Sequence, residues 1–210
     1  MKNKSASKTA VQPKNAPGFG FWQSLSTDQI IIGSIIIITI LILGGMAALS
    51  LRNNQRYNVN IPGLAVFTDL TAGHQEGIVT YEQTPPVGGP HNAAWQTCGV
   101  YDGQIANEHA VHSLEHGAVW ITYQPDLAQA EVDKLADITR RGTHRLLSPY
   151  PGIDSPIVIS AWGYQLKLDS ADDQRLMDFI QHYEQGPNTP EPGASCSGGQ
   201  TRTLAQLGRS

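Results

Sequence analysis

Residues 107–123 read NEHAVHSLEHGAVWITY, and the point at which this segment changes from helix to strand decides the fold. Asn107 is a candidate N-cap and Gly117 a C-terminal stop, so the first part predicts a helix of about two and a half turns. Ala118 to Tyr123 (AVWITY) is a nearly continuous apolar run with β-branched and aromatic residues, the pattern of a strand buried on both faces and central in its sheet. On the helix, His109, His112 and His116 stand at i, i+3 and i+7 and share one face, where two adjacent imidazoles can hold one divalent ion. As a strand the same residues would set His112 and His116 about 13 Å apart, too far for a single ion.

Downstream, Asp126 is the expected cap of an amphipathic helix bearing Ala128, Val132, Leu135 and Ile138 on one face and ending before Gly142. Leu146 and Leu147 mark a short strand, Ile157 to Trp162 another, and Tyr164, Leu166 and Leu168 alternate with Gln165 and Lys167 as a half-exposed third. Ser170, with Asp173 three residues on, is the expected cap of a last helix that buries Leu176, Phe179, Ile180 and Tyr183. Strand, helix, strand, strand, strand, helix predicts an α/β or α+β domain with a central mixed sheet and helices packed on it. The order is reminiscent of a reduced thioredoxin-like fold, but without a C-x-x-C the comparison implies no thiol chemistry. Asp172, Asp173 and Asp178 read as charge at a helix start and a solvated face, and Trp95, Trp120 and Trp162 as packing residues. His144 and His182 have no partner visible in sequence and read as surface residues.

Upstream, Ile78 to Tyr81 is a candidate first strand. Pro85, Pro86, Gly88, Gly89 and Pro90 then crowd a segment that must be a rigid irregular loop ending at His91. From Ile30 to Leu51 no residue is charged, and such a helix covers about 33 Å, enough for the hydrocarbon core. Ala47 and Ala48 lie inside this run and not after it, which favours an uncleaved single-pass anchor over a signal peptide. Lys2, Lys4, Lys8 and Lys14 precede it, so residues 1–29 are expected as a cytoplasmic tail. Residues 52–73 then form a linker, 74–186 an extracytoplasmic globular domain and 187–210 a flexible C-terminal tail, all anchored at the cell membrane.

The whole chain has 210 residues, 15% of them charged, and a formal net charge of −4, with 10 Lys/Arg against 17 Asp/Glu after residue 51. That balance argues against nucleic acid as a partner, because a phosphate-binding surface needs a basic excess. Cys98 and Cys196 both fall on the expected outer side, where oxidising conditions permit a disulfide contributing on the order of 4 to 5 kcal/mol in the chain-entropy picture.

Five of the seven histidines, His74, His91, His109, His112 and His116, fall between residues 74 and 116. The rigid loop presents His91 to the helix, so His91, His112 and His116 are candidate metal ligands, and Glu115 can ligate, orient a histidine or act as a base. Neutral imidazoles suit a transition metal, with copper or zinc as the expected ion. Residues 112–116 also spell H-x-x-E-H, the inverted zinc-protease pattern, with Glu115 as general base and Glu184 or Glu191 as the third-ligand candidates. Gly117 ends the helix early for that architecture. Ser113, although flanked by histidines, lacks an orienting group for a nucleophile. The alternative is structural: the histidines bond the loop and fix it against the sheet.

Four motifs, PPVGGPH at 85–91, GVYDG at 99–103, VHSLEHGAVWITYQPD at 111–126 and ISAWGYQLKLD at 159–169, resemble the bacterial family known as domain of unknown function 3105. In that family an N-terminal anchor commonly precedes a domain marked by PPxSGPH and VHxLEHG. These patterns match Pro85, Pro86, Gly89, Pro90, His91, Val111, His112, Leu114, Glu115, His116 and Gly117, with Gly88 where the family tends to have serine. The resemblance favours His91, His112, Glu115 and His116 as the functional set and implies neither activity nor substrate. The leading expectation is metal binding at the membrane surface. Its rivals are an accessory subunit of a membrane complex with structural histidines, and a metal-dependent hydrolase.

Overall fold

The computed structural model describes residues 26–56 and 60–209, with the side chains of 49–56 excepted. The Lys-rich stretch through residue 25 lies outside the described residues. The chain divides into two units, meeting between Asn53 and Asn54.

In the first unit, helix α1 runs Thr27–Arg56. Ser26 and Gln29 close its start reciprocally, each side-chain oxygen accepting from the other's backbone N–H. Thr27–Ala48 has a mean hydropathy of 2.7 and is nowhere buried, so this one helix is long and apolar enough to cross a membrane. The hydroxyls of Ser34 and Thr39, in the middle of the apolar stretch, are satisfied within the helix, Ser34 donating to Ile30 O and Thr39 to Ile35 O. In hydrocarbon that removes the need for an outside partner.

The second unit comprises β1 (Ala65–Val66), β2 (Gly73–His74), β3 (Pro90–His91), β4 (Gly99–Val100), α2 (Asn107–Glu115), β5 (Val119–Tyr123), α3 (Gln129–Arg140), β6 (Arg145–Pro149), β7 (Ile157–Ala161), β8 (Tyr164–Leu168) and α4 (Gln174–Tyr183), closed by a 3-10 turn at Ala205–Leu207. Six strands form one mixed sheet in the order β1-β8-β7-β5-β6-β4, and β2 and β3 form a separate parallel pair. Strand β5 runs parallel to β6 and antiparallel to β7, and β7–β8 is an antiparallel hairpin. The fold is α+β, a mixed sheet covered by helices.

The apolar run at 119–123 is central because both faces of the sheet are covered. Val119, Ile121 and Tyr123 pack with Leu135 of α3 and with Leu176, Phe179 and Ile180 of α4. Trp120 points the other way, into a cluster with Ala110 and Leu114 of α2, Ile105, Leu146 and Val158. Period-two alternation therefore survives inside an apolar sequence, with a core on each side. Helix α2 lies on the face opposite α3 and α4, and it presents the histidines there.

Several local expectations are corrected. Ile78 to Tyr81 is not a strand: Ile78 is 75% exposed, and Tyr81 donates its hydroxyl to Pro90 O, so this run props the loop and adds nothing to the sheet. Helix α2 is preceded by Ala106, and Asn107 spends its side chain on the Tyr150 hydroxyl. Helix α3 starts after Ala128 and not at Asp126. The cap of α4 is Asp173, which accepts from Arg175 N, while Ser170 donates to Glu131, whose carboxylate also accepts from Ala171 N. His144 and His182, expected at the surface, are 9% and 7% exposed. His144 is held by Thr143, Ala194 O and Gln185, and His182 packs edge-on against Tyr183.

The segment after Gly186, expected as a loose tail, runs back over the domain. Glu191 N donates to Glu115 O, Cys98 N to Cys196 O, Gln200 N to Trp95 O and Leu204 N to Gln104 O. Arg209 pairs with the buried Glu108 of α2. The Cys98–Cys196 disulfide fastens the same stretch. Backbone bonds, not an apolar period, hold this segment, and a hydropathy pattern carries no trace of them.

Leu114 is fully buried between α2 and the sheet, whereas Met177 is 41% exposed on α4. Leu114→Ala should cost about 2–5 kcal/mol and Met177→Ala under about 0.5 kcal/mol, read as urea midpoints. Equal effects would contradict the placement of α2 against the second core.

Candidate metal centre

Helix α2 stands with Ala110 and Leu114 against the sheet, and the loop 85–97 and the C-terminal segment close over its other sides. Glu108, His109, His112 and Glu115 are all buried as a result. Gly117 has φ +89, a conformation that L side chains rarely adopt, and a Cβ there would lie 2.9 Å from Thr189 Oγ1. Its carbonyl accepts from Gln185 N, so the sharp exit from α2 also docks the C-terminal segment.

Four histidines make the same hydrogen bond. The Nδ1 of His91 donates to Gly89 O at 2.8 Å, that of His112 to Asn92 O at 2.7 Å and that of His116 to Ser195 O at 2.7 Å, while His109 donates to Ala94 O. A carbonyl can only accept, so each Nδ1 carries the proton and each neutral ring keeps its lone pair on Nε2. This backbone-anchored tautomer is the one that metal-ligating histidines use.

Three of the four rings converge with a fifth histidine. The parallel pairing of β2 with β3 places His74 beside His91, with ring centroids 5.2 Å apart. His112 lies 4.8 Å from His91, 4.9 Å from His74 and 4.5 Å from His116. The donor atoms fall into two groups, His74, His91, His112 and Glu115, and His112, His116 and Glu191, each within 4.8 Å of one another. Around a tetrahedral ion with bonds of about 2.0–2.1 Å such atoms stand about 3.4 Å apart, so small side-chain movements would close either group.

Each group sets a lone pair against a carboxylate. His91 Nε2 lies 2.8 Å from Glu115 Oε2 with neither atom more than 6% exposed at the side chain, yet it lacks the alignment of a hydrogen bond and has no other partner. His116 Nε2 lies 3.4 Å from Glu191 Oε2. Two electron-rich atoms facing each other in a buried place need a positive charge between them, either a proton or a metal ion. Burial, followed by repulsion from His116, His91 and His74 and opposed by the Asn92 carbonyl, pushes the His112 pKa down to about 4. His112 is thus a neutral donor across the physiological range.

Of the expected set, His91, His112 and Glu115 come together, and His116 adjoins them in the second group with Glu191. Sequence reading did not assign His74 as a ligand; only the two-residue β2–β3 pairing brings it in. Glu184 is committed elsewhere, taking Arg145 through Nε and Nη2 and capping the N–H groups of Thr143 and His144. Ser113 donates to Gln96 O and His109 O and has no base. Trp120 is core, donating to Ser148, whereas Trp95 packs on His112 and His116 and Trp162 edge-on against His91.

The sequence model of the family described as "Protein of unknown function (DUF3105)" matches residues 74–198. The chain belongs to the DUF3105 family. The matched span starts at His74 and takes in every donor of both groups, the disulfide and the loop. Neither the curated proteins nor the solved structures contain a match to this chain.

Because His112 is held neutral in the folded, metal-free protein and takes up a proton on unfolding below pH about 6.5, stability should fall as pH drops from 6.5 towards 4. The share from this residue is on the order of 2–3 kcal/mol. Urea midpoints of the metal-free chain at pH 6.5 and 4.5 should differ more in wild type than in His112→Asn. An identical pH slope in the two would contradict the neutral, buried His112.

Proposed function

We propose that the chain is a membrane-anchored metal-binding protein whose domain holds one transition-metal ion through His74, His91 and His112 with Glu115. In this reading α1 is an uncleaved single-pass anchor with its Lys-rich N-terminal side in the cytoplasm, and the domain lies outside. The observation that carries the reading is the buried, unaligned contact of His91 Nε2 with Glu115 at 2.8 Å, beside the contact of His116 Nε2 with the more exposed Glu191 at 3.4 Å, both made by histidines whose Nδ1 atoms are already engaged. A proton would serve one such contact. A cation bonded to several donors serves the whole converging set.

The donor set narrows the ion. With Cys98 and Cys196 joined in a disulfide no thiolate is offered, so the site is imidazole and carboxylate, suited to copper(II) or zinc and unsuited to copper(I) thiolate chemistry. His91 is fully buried and Glu115 and His112 are 5% and 4% exposed, which fits holding an ion better than hydrolysis, where a metal keeps an open position for water and substrate. Metal holding or handling at a membrane surface, alone or within a membrane complex, is the function that these features support best.

Elemental analysis of the untagged full chain in detergent, after loading with copper(II) or zinc and removal of excess ion, tests the reading. Wild type should retain about one ion per chain, and folded His91→Ala and His112→Ala variants should lose at least about tenfold in affinity, since loss of a group that merely orients a ligand already costs about that much. No retained ion in a folded wild-type chain would end the metal reading and leave the histidines as fasteners of the loop.

A further inference from the structure

The two donor groups share His112, and His112 has one nitrogen to give. Its Nδ1 is bonded to Asn92 O, so Nε2 alone can ligate, and it can ligate one ion at a time. The groups also differ in exposure. The inner one contains the fully buried His91 and the 5% exposed Glu115, whereas the outer one ends on Glu191, whose side chain is 52% exposed.

Building on the metal reading above, we infer that His112, His116 and Glu191 form a second coordination position through which the ion is exchanged with the outside, with His112 as the pivot. The two positions are alternatives, so the chain carries one ion. In the exchange the ion keeps its charge and its bond to His112 Nε2. Its bonds to His116 Nε2 and Glu191 form as those to His91 Nε2, His74 and Glu115 break; the Nδ1 protons of His91, His112 and His116 stay in place, and a proton from solvent takes the place of the ion between His91 Nε2 and Glu115. His74 is also exposed, but among the described residues the one other group of three donors that shares a ligand with the inner group is that of His116 and Glu191. The route by His116 keeps it coordinated throughout.

The outer donors are fastened as a site. Ser195 O fixes the His116 ring, Glu191 N is bonded to Glu115 O at the end of α2, and the next residue after Ser195 is tied by the Cys98–Cys196 disulfide. Glu191 thus sits on a segment held on both sides of the carboxylate and directed at His116.

Stopped-flow quenching of tryptophan fluorescence by copper(II) reads the exchange, since the Trp95 ring lies 5.1 Å from His116. In the full chain in detergent, Glu191→Gln should slow both loading and chelator-driven release at least tenfold while the bound ion at equilibrium stays near one per chain. His116→Gln should do the same, and His74→Gln should instead weaken equilibrium binding. Unchanged rates in both Glu191→Gln and His116→Gln, or two ions per wild-type chain at saturation, would overturn the exchange position and leave the inner site standing. Failure of wild type to bind any ion would overturn the underlying metal reading and this inference with it.

Discussion

The structure around α2 depends on one repeated interaction, the hydrogen bond from a histidine Nδ1–H to a backbone carbonyl. His91, His109 and His112 make it within the segment 89–94, and His116 makes it to Ser195 in the C-terminal segment. Each bond does two things at once. It satisfies a carbonyl in an irregular stretch that lacks strand or helix partners, and it decides which ring nitrogen carries the proton. The loop and the C-terminal segment are thereby fastened to the helix, and the lone pairs are left facing inwards.

For this reason the structural and the metal-binding readings of the histidines do not compete at Nδ1. The structural role is fulfilled on that side of each ring. What a purely structural role leaves unexplained is the other side, where the fully buried His91 Nε2 meets the nearly buried Glu115. A set of fasteners would be expected to turn its unused nitrogens towards solvent. Here three such nitrogens converge on two carboxylates, one from the end of α2 and one from the C-terminal segment.

The sequence showed the scaffold more fully than the site. The helix-to-strand change at Gly117, the central β5 and the hairpin β7–β8 follow from periodicity and a stop residue, which are local signals. His91, His112 and Glu115 could be named because a rigid Pro/Gly loop and a helical spacing are local as well. His74 could not, because its place rests on a two-residue strand pairing with no apolar pattern. Glu191 entered only as a candidate third ligand for hydrolysis, since the segment carrying it is held by backbone bonds and a disulfide between residues 98 apart in sequence. The start of α4 slipped from Ser170 to Asp173 because a long-range acceptor, Glu131, took the Ser170 hydroxyl and the Ala171 N–H that a local cap would have used.

The most direct test of this account is anomalous scattering from crystals of the copper- or zinc-loaded protein, collected on both sides of the metal absorption edge. The account predicts a single peak within about 2.0–2.2 Å of His112 Nε2, bonded also to His91 and Glu115 or to His116 and Glu191. A fully loaded crystal with its peak away from His112, or with His112 turned so that Nε2 takes the Asn92 carbonyl, would contradict it.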